Sequence, residues 1–146
     1  MAETATDLWR SVREEQFKDG VILNRKSGMY PAPGVLYPDF EERELSGGRI
    51  RAPDVVIKDG QVQKNGGTSL FDKDKVFKSK GWLSFRIPRG TVVDPLLVVR
   101  YTNHNERFSA DHYQIEVEKP ISVDAYKGAL DNLARAAVKK AYEDAR

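Results

Sequence analysis

The one sustained helical periodicity in this chain lies at its C-terminal end, and that limits what the rest can become. After Pro120, apolar residues recur at Val123, Tyr126, Leu130, Leu133, Ala137 and Val138, the spacing of a single buried helix face. Lys127, Asp131, Arg135, Lys139 and Glu143 fall on the opposite side, and Ser122 stands where a helix N-cap is wanted. The spacing predicts a helix from Val123 to about Tyr142. Upstream, glycines and prolines interrupt the chain too often for a second long helix. A lone amphipathic helix must bury its stripe on something, and short strands are what remain. The class is therefore α+β, strand-rich, with the C-terminal helix docked on a sheet.

The strand signals are local. Asp7–Val12 is short and aromatic, and Val21–Asn24 is a second apolar run. Between Lys26 and Asp39 the breakers Gly28, Pro31, Pro33, Gly34 and Pro38 forbid regular structure. Met29, Tyr30, Val35, Leu36 and Tyr37 in the same stretch suggest a loop packed onto the body. Asp39–Leu45 reads as one helical turn ended by Gly47-Gly48. Val55–Ile57 and Val62–Lys64 flank Asp59-Gly60, a hairpin signal. A further turn is expected at Asn65-Gly66-Gly67, and strands at Trp82–Ile87, Leu96–Tyr101 and His112–Val117.

Composition excludes several kinds of chemistry. The 146 residues are 40% apolar and 32% charged, which fits one globular domain spanning residues 1–146. With no Cys and only His104 and His112, thiolate nucleophiles, zinc–cysteine sites and iron–sulfur clusters are excluded, and no metal site is expected. No apolar run approaches the ~18 residues that would span a membrane. Met1–Asp7 lacks the charged-then-apolar order of a secretory signal. A net charge of +2 does not mark a nucleic-acid binder. The exception is local: Lys75, Lys78, Lys80, Arg86 and Arg89 are interleaved with Phe77, Trp82 and Phe85 without an acid. That stretch is either a face for a phosphate-rich ligand or a strand whose lysines guard a sheet edge.

Three placements carry chemistry. Gly66-Gly67-Thr68-Ser69 offers close backbone approach and two adjacent hydroxyls, although the same residues make ordinary turns. No Lys follows in P-loop spacing. His112 opens a strand whose alternation puts His112, Gln114, Glu116 and Glu118 on one face and Tyr113, Ile115 and Val117 on the other. The polar face lines either solvent or a cleft in which His112 acts as acid, base or hydrogen-bond partner. His104 lies in a polar stretch and reads as a solvent-exposed loop residue. Arg10, a cation inside Leu8-Trp9-Arg10, either meets water at an edge or grips an anion such as a pyrophosphate with its planar fork.

These segments together resemble the small cytotoxic effectors of type VI secretion called type six exported effector two, whose fold is similar to ADP-ribosyltransferase toxins. The resemblance rests on Leu8-Trp9-Arg10, Arg51-Ala52-Pro53-Asp54, Gly66-Gly67-Thr68-Ser69 with Phe71-Asp72, His112-Tyr113 with Ile115, Lys119-Pro120, and Leu130-Asp131-Asn132 with Arg135. It runs through most of the chain and leaves out the loop from Lys26 to Gly48. It implies a mixed, mostly antiparallel, curved and split sheet, and an NAD-dependent toxin acting in the cytoplasm of a target bacterium. It also implies a cognate immunity protein, delivery by the secretion machinery and an unidentified acceptor. Carried over by residue, Thr68, Ser69 and His112 match positions required for toxicity. Arg10 matches the first-strand Arg near the NAD phosphates or ribose, and Gly67 and Tyr113 join it as cofactor-binding. Gln114-Ile115-Glu116 has the Gln-x-Glu shape of a catalytic acid in many ADP-ribosyltransferases, although the effectors match it with no acid. A toxin that only binds a cytoplasmic target, and a nucleic-acid-binding module, are the alternatives.

Overall fold

Strand pairing organises the protein around a five-stranded sheet. In this computed structural model residues 2–16 and 34–145 are described; the expected run Val21–Asn24 and the first part of the breaker-rich loop lie outside them. Strands β1 (Leu8–Arg13), β6 (Thr68–Phe71), β7 (Trp82–Ile87), β8 (Leu97–Asn105) and β9 (Ala110–Val117) make the main sheet in the order β7-β1-β6-β9-β8. Two small ribbons accompany it. One pairs β2 (Arg43–Glu44) with β3 (Ile50–Arg51), and the other orders β10 (Ile121–Ser122), β5 (Gln61–Val62) and β4 (Ile57–Lys58). Helix α1 (Val123–Asp144) follows β10 directly. Every strand pair among the described residues is antiparallel.

The helix forms where its periodicity places it. Ser122 caps it, its hydroxyl accepting from the Ala125 N–H at 3.1 Å. Tyr126, Ala129, Leu130, Leu133, Ala134 and Ala137 are its buried face. Alternation supplies the matching sheet surface: Leu8 and Val12, Leu70, Phe85 and Ile87, Leu97, and Ile115 and Val117 join the helix in one cluster. The other sheet face carries Trp9, Ser11, Ser69, Phe71, Ser84, Arg86, Arg100, His112, Gln114 and Glu116, as the registers require.

Two local expectations are corrected. Asp39–Leu45 contributes no helical turn: Arg43–Glu44 pairs with Ile50–Arg51 around Gly47 and Gly48, whose φ values of 83° and 78° suit glycine. A glycine pair there reverses a hairpin instead of ending a helix. His104 is exposed as expected but lies in β8, not in a loop, with Nδ1 2.8 Å from Asp111 Oδ1. The hairpin at Asp59-Gly60 does form, both residues at positive φ (54° and 76°), with strands shorter than the flanking apolar residues suggest. Trp82–Ile87 is an edge strand of the main sheet. Phe77 stacks on Trp82 at 4.5 Å, Arg13 covers the Trp82 ring at 4.3 Å, and Phe85 is in the core.

Candidate active site

The main sheet is split at its second strand. β1 pairs with β7 along all six residues but with β6 only at Trp9↔Phe71. Past that point β1 and β6 separate, and the Arg10 side chain fills the opening. Its Nη1 donates to the Ser69 carbonyl (3.2 Å) and its Nη2 to the Tyr37 carbonyl (3.1 Å). Nε is buried and has no partner. Burial lowers the Arg10 pKa, opposed by the nearby Asp54 and Asp39 carboxylates. A guanidinium is tolerated here because its fork replaces the ladder bonds that the strands no longer make.

The segment after Gly34 closes this opening on the helix side. Val35 and Leu36 are fully buried, as expected of a loop packed on the body. Asp131 on the helix accepts from the Gly34 N–H at 3.0 Å and the Tyr37 hydroxyl at 2.8 Å. Asp39 and Asp54 clamp each other: the Asp39 N–H donates to Asp54 Oδ2 (2.7 Å), and the Asp54 N–H to the Asp39 carbonyl (2.8 Å). The Leu36 and Tyr37 carbonyls, held in sequence, accept from Thr68 Oγ1 at 2.5 Å and from Arg10.

Thr68 and Ser69 therefore do not present their hydroxyls to one ligand, because neighbouring strand residues face opposite ways. Thr68 is fully buried on the helix side. Ser69 faces the other side, and its hydroxyl makes no hydrogen bond among the described residues. Gly67 has no room for a side chain: a Cβ there would lie 2.0 Å from the Ile115 carbonyl oxygen and 3.3 Å from the Tyr126 hydroxyl. The Tyr126 hydroxyl donates to that same carbonyl at 2.8 Å. Tyr113 is also on the helix side, edge-on to Tyr101 at 5.5 Å.

On the open face, register sets Ser69 beside Gln114 and Phe71 beside His112. The His112 ring meets Phe71 edge-on at 5.1 Å, and burial lowers its pKa below the ordinary 6.5. Glu116 is 5% exposed and bound through one oxygen. Arg100 Nε (2.8 Å) and Nη2 (2.5 Å) and Gln114 Nε2 (3.3 Å) all reach Oε2. Oε1 has no hydrogen bond among the described residues. Ser69, His112, Gln114 and Glu116 thus share one surface, with the Arg10 opening beside Ser69.

A sequence model of the family described as Tse2 ADP-ribosyltransferase toxin matches residues 6–142. The chain belongs to that family. It is 38% identical over 151 aligned positions to "Toxin Tse2" of Pseudomonas aeruginosa, across 99% of this chain and 95% of that protein. The resemblance carried by the six sequence segments is thereby established, and the α+β architecture with one C-terminal helix agrees with it.

As a member of the Tse2 family the protein is a toxin of the ADP-ribosyltransferase class, and that class implies NAD as substrate. The split offers such a ligand the Arg10 cation, but its unpartnered Nε is buried and its two Nη atoms already hold the Ser69 and Tyr37 carbonyls. Among the described residues no helix is long and apolar enough to cross a membrane, and no cluster of His, Asp and Glu is disposed to hold a metal ion. Arg100 and the 34–40 strap are site features that the sequence reading did not identify. Arg100 had the same signal as Arg10, a cation inside an apolar strand; the strap had none, because it works through main-chain carbonyls.

Proposed function

We propose that this chain is an antibacterial toxin that acts on NAD in the cytoplasm of a target cell. It cleaves the bond between nicotinamide and ribose and passes ADP-ribose to an acceptor or to water. Membership of an ADP-ribosyltransferase toxin family supports this reading, and the observation that carries it to residues is Glu116. Its Oε2 is fixed by Arg100 and Gln114, and its Oε1 has no partner among the described residues, on the sheet face shared by Ser69 and His112. A carboxylate held in that way accepts a ribose hydroxyl and stabilises positive charge developing on the sugar as the bond breaks. Ser69 and His112 complete the contact surface, and Arg10, reaching the split from the helix side, supports it by holding the Ser69 and Tyr37 carbonyls and adds positive charge near the pyrophosphate. Thr68 acts as a positioning residue, because its hydroxyl holds the strap that receives Arg10. Gly67 contributes by letting β9 and Tyr126 close on β6. Tyr113 has no part in this arrangement.

Residues 1–146 act as one toxin domain in this reading. Delivery is by a type VI secretion system, and the producer is protected by a cognate immunity protein that covers the split. The Lys75–Arg89 stretch is the accessible surface offered to that partner beside β7. An interface of about 1,200–2,000 Å² is enough for tight inhibition.

The test is calorimetric titration of NAD into the purified protein, repeated on Arg10→Ala and Ser69→Ala, together with induced expression in a bacterial cytoplasm. Binding that weakens in both variants, with growth arrest by the wild type alone, is the expected result. No heat at millimolar NAD with growth arrest intact would transfer the toxicity to target binding.

A further inference from the structure

We infer that Thr102 is a positioning residue that holds His112 with its proton on Nδ1 and its Nε2 unprotonated, on the sheet face shared by Ser69 and Glu116. The inference rests on the reading of His112 as part of the NAD-cleaving site, and it decides which way that histidine bonds.

Thr102 is where β8 breaks register. Tyr101 pairs with Tyr113 and Asn103 with His112, so Thr102 is an extra residue with no partner across the ladder. Such a bulge re-aims a side chain that regular alternation would point elsewhere. Here it aims Oγ1 at His112, 2.5 Å from Nδ1.

The same oxygen lies 3.0 Å from the His112 carbonyl and 2.8 Å from Asn103 Oδ1. Both of these only accept. The Asn103 amide is oriented by its own Nδ2, which donates to the His104 carbonyl at 3.4 Å. A hydroxyl carries a single proton. If Thr102 donated it to Nδ1, two carbonyl oxygens would face its lone pairs with no hydrogen between them. If it donates to the carbonyl side, Nδ1 supplies the hydrogen of its own contact with Oγ1. The first arrangement puts a hydrogen in one contact of the three; the second puts one in two, and in all three when the Thr102 hydrogen is shared between the two carbonyls, so the second is favoured and places the imidazole proton on Nδ1. The tautomer of a histidine follows from the bond made by its other nitrogen in this way. Nε2 then has neither a proton nor a partner among the described residues. It can accept a hydrogen bond from a ribose or acceptor hydroxyl, and it cannot donate one.

Long-range proton–nitrogen correlation spectra at pH 7.5, on histidine-labelled protein from cell-free synthesis, test this directly. His104→Gln assigns the second ring. The expected result is a pyrrole-type Nδ1 and a pyridine-type Nε2 for His112, retained in Thr102→Ser and lost in Thr102→Val. Growth inhibition should fall at least tenfold in Thr102→Val and return in Thr102→Ser, with both variants folded by their amide spectra. A protonated Nε2 in the neutral ring of the wild type would overturn the inference whatever the toxicity. Undiminished toxicity of His112→Ala, with the wild-type spectrum as expected, would instead overturn the site reading and the role of Thr102 with it. Full toxicity of Thr102→Val while His112→Ala is inactive would overturn the positioning role alone.

Discussion

Thr68→Val and Ser69→Ala separate two roles that one turn sequence would merge. Valine matches threonine in shape, so Thr68→Val removes little besides the hydroxyl that donates to the Leu36 carbonyl at 2.5 Å. Both residues are fully buried, so water cannot replace the donor. A stranded buried acceptor costs about 1–3 kcal/mol, and the added methyl returns up to about 0.8 kcal/mol. The net loss is then about 1–2 kcal/mol. For a chain of 146 residues that lowers the melting temperature by roughly 2–8 °C. A domain starting from at least ~5 kcal/mol stays more than about 95% folded after that loss, so unfolding cannot explain a tenfold drop in toxicity. Such a drop is nevertheless expected, because the freed strap no longer fixes the Tyr37 carbonyl that holds Arg10. Thr68→Ser should restore both properties. Ser69→Ala loses a hydroxyl that makes no hydrogen bond among the described residues and should shift stability by less than ~0.5 kcal/mol while abolishing growth arrest. Calorimetric melting and induced expression at matched protein levels read the two effects. An unchanged melting temperature in Thr68→Val would refute the buried hydrogen bond, and full toxicity of Ser69→Ala would remove the open face from the site.

Four further outcomes follow from the same geometry. Gly67→Ala forces a Cβ to within 2.0 Å of the Ile115 carbonyl oxygen, and should cost about 3 kcal/mol or more by denaturant titration. Gly128→Ala meets nothing within 4 Å on the exposed side of α1, and should raise stability by about 0.5–1 kcal/mol. Burial pushes the Tyr126 hydroxyl up to about 12 from 10.0; its folded value is the higher one, so its contribution is complete below pH 10 and lost as pH rises to about 12. Tyr126→Phe should flatten that limb of an alkaline stability profile, and an unaltered limb would place the loss elsewhere. Arg10→Lys keeps the charge, but one ammonium cannot span both the Ser69 and Tyr37 carbonyls as two guanidinium nitrogens do. NAD affinity and toxicity should therefore fall together, and an Arg10→Lys protein as toxic as the wild type would show that the fork is dispensable.

Much of the scaffold is legible because its signals are local. The 3.6-residue period after Pro120, the cap at Ser122, the Asp59-Gly60 reversal and the strand alternation near residue 112 each depend on neighbours a few positions away. The turn expected at Asp39–Leu45 shows the limit of that reading. Its composition allows a helical turn, and only pairing with Ile50–Arg51 makes it extended, a contact whose strength no local propensity encodes.

The site is less legible because it is assembled by register. Arg10, Tyr37 and Ser69 are far apart in sequence and meet because β1 leaves β6 after a single pair, and nothing in Leu8-Trp9-Arg10 announces that departure. Thr68 and Ser69 are adjacent in sequence, yet the period of two that makes a strand readable sends their hydroxyls to opposite sides of the sheet. The same alternation joins Ser69 to His112 and Glu116, so the sequence does carry the open-face group once the register of β6 against β9 is fixed. Thr102 escapes every periodic reading, since a bulge is the point where period fails. A residue that breaks the pattern is costly in ladder bonds, and here the bond it makes instead falls on the ring of His112.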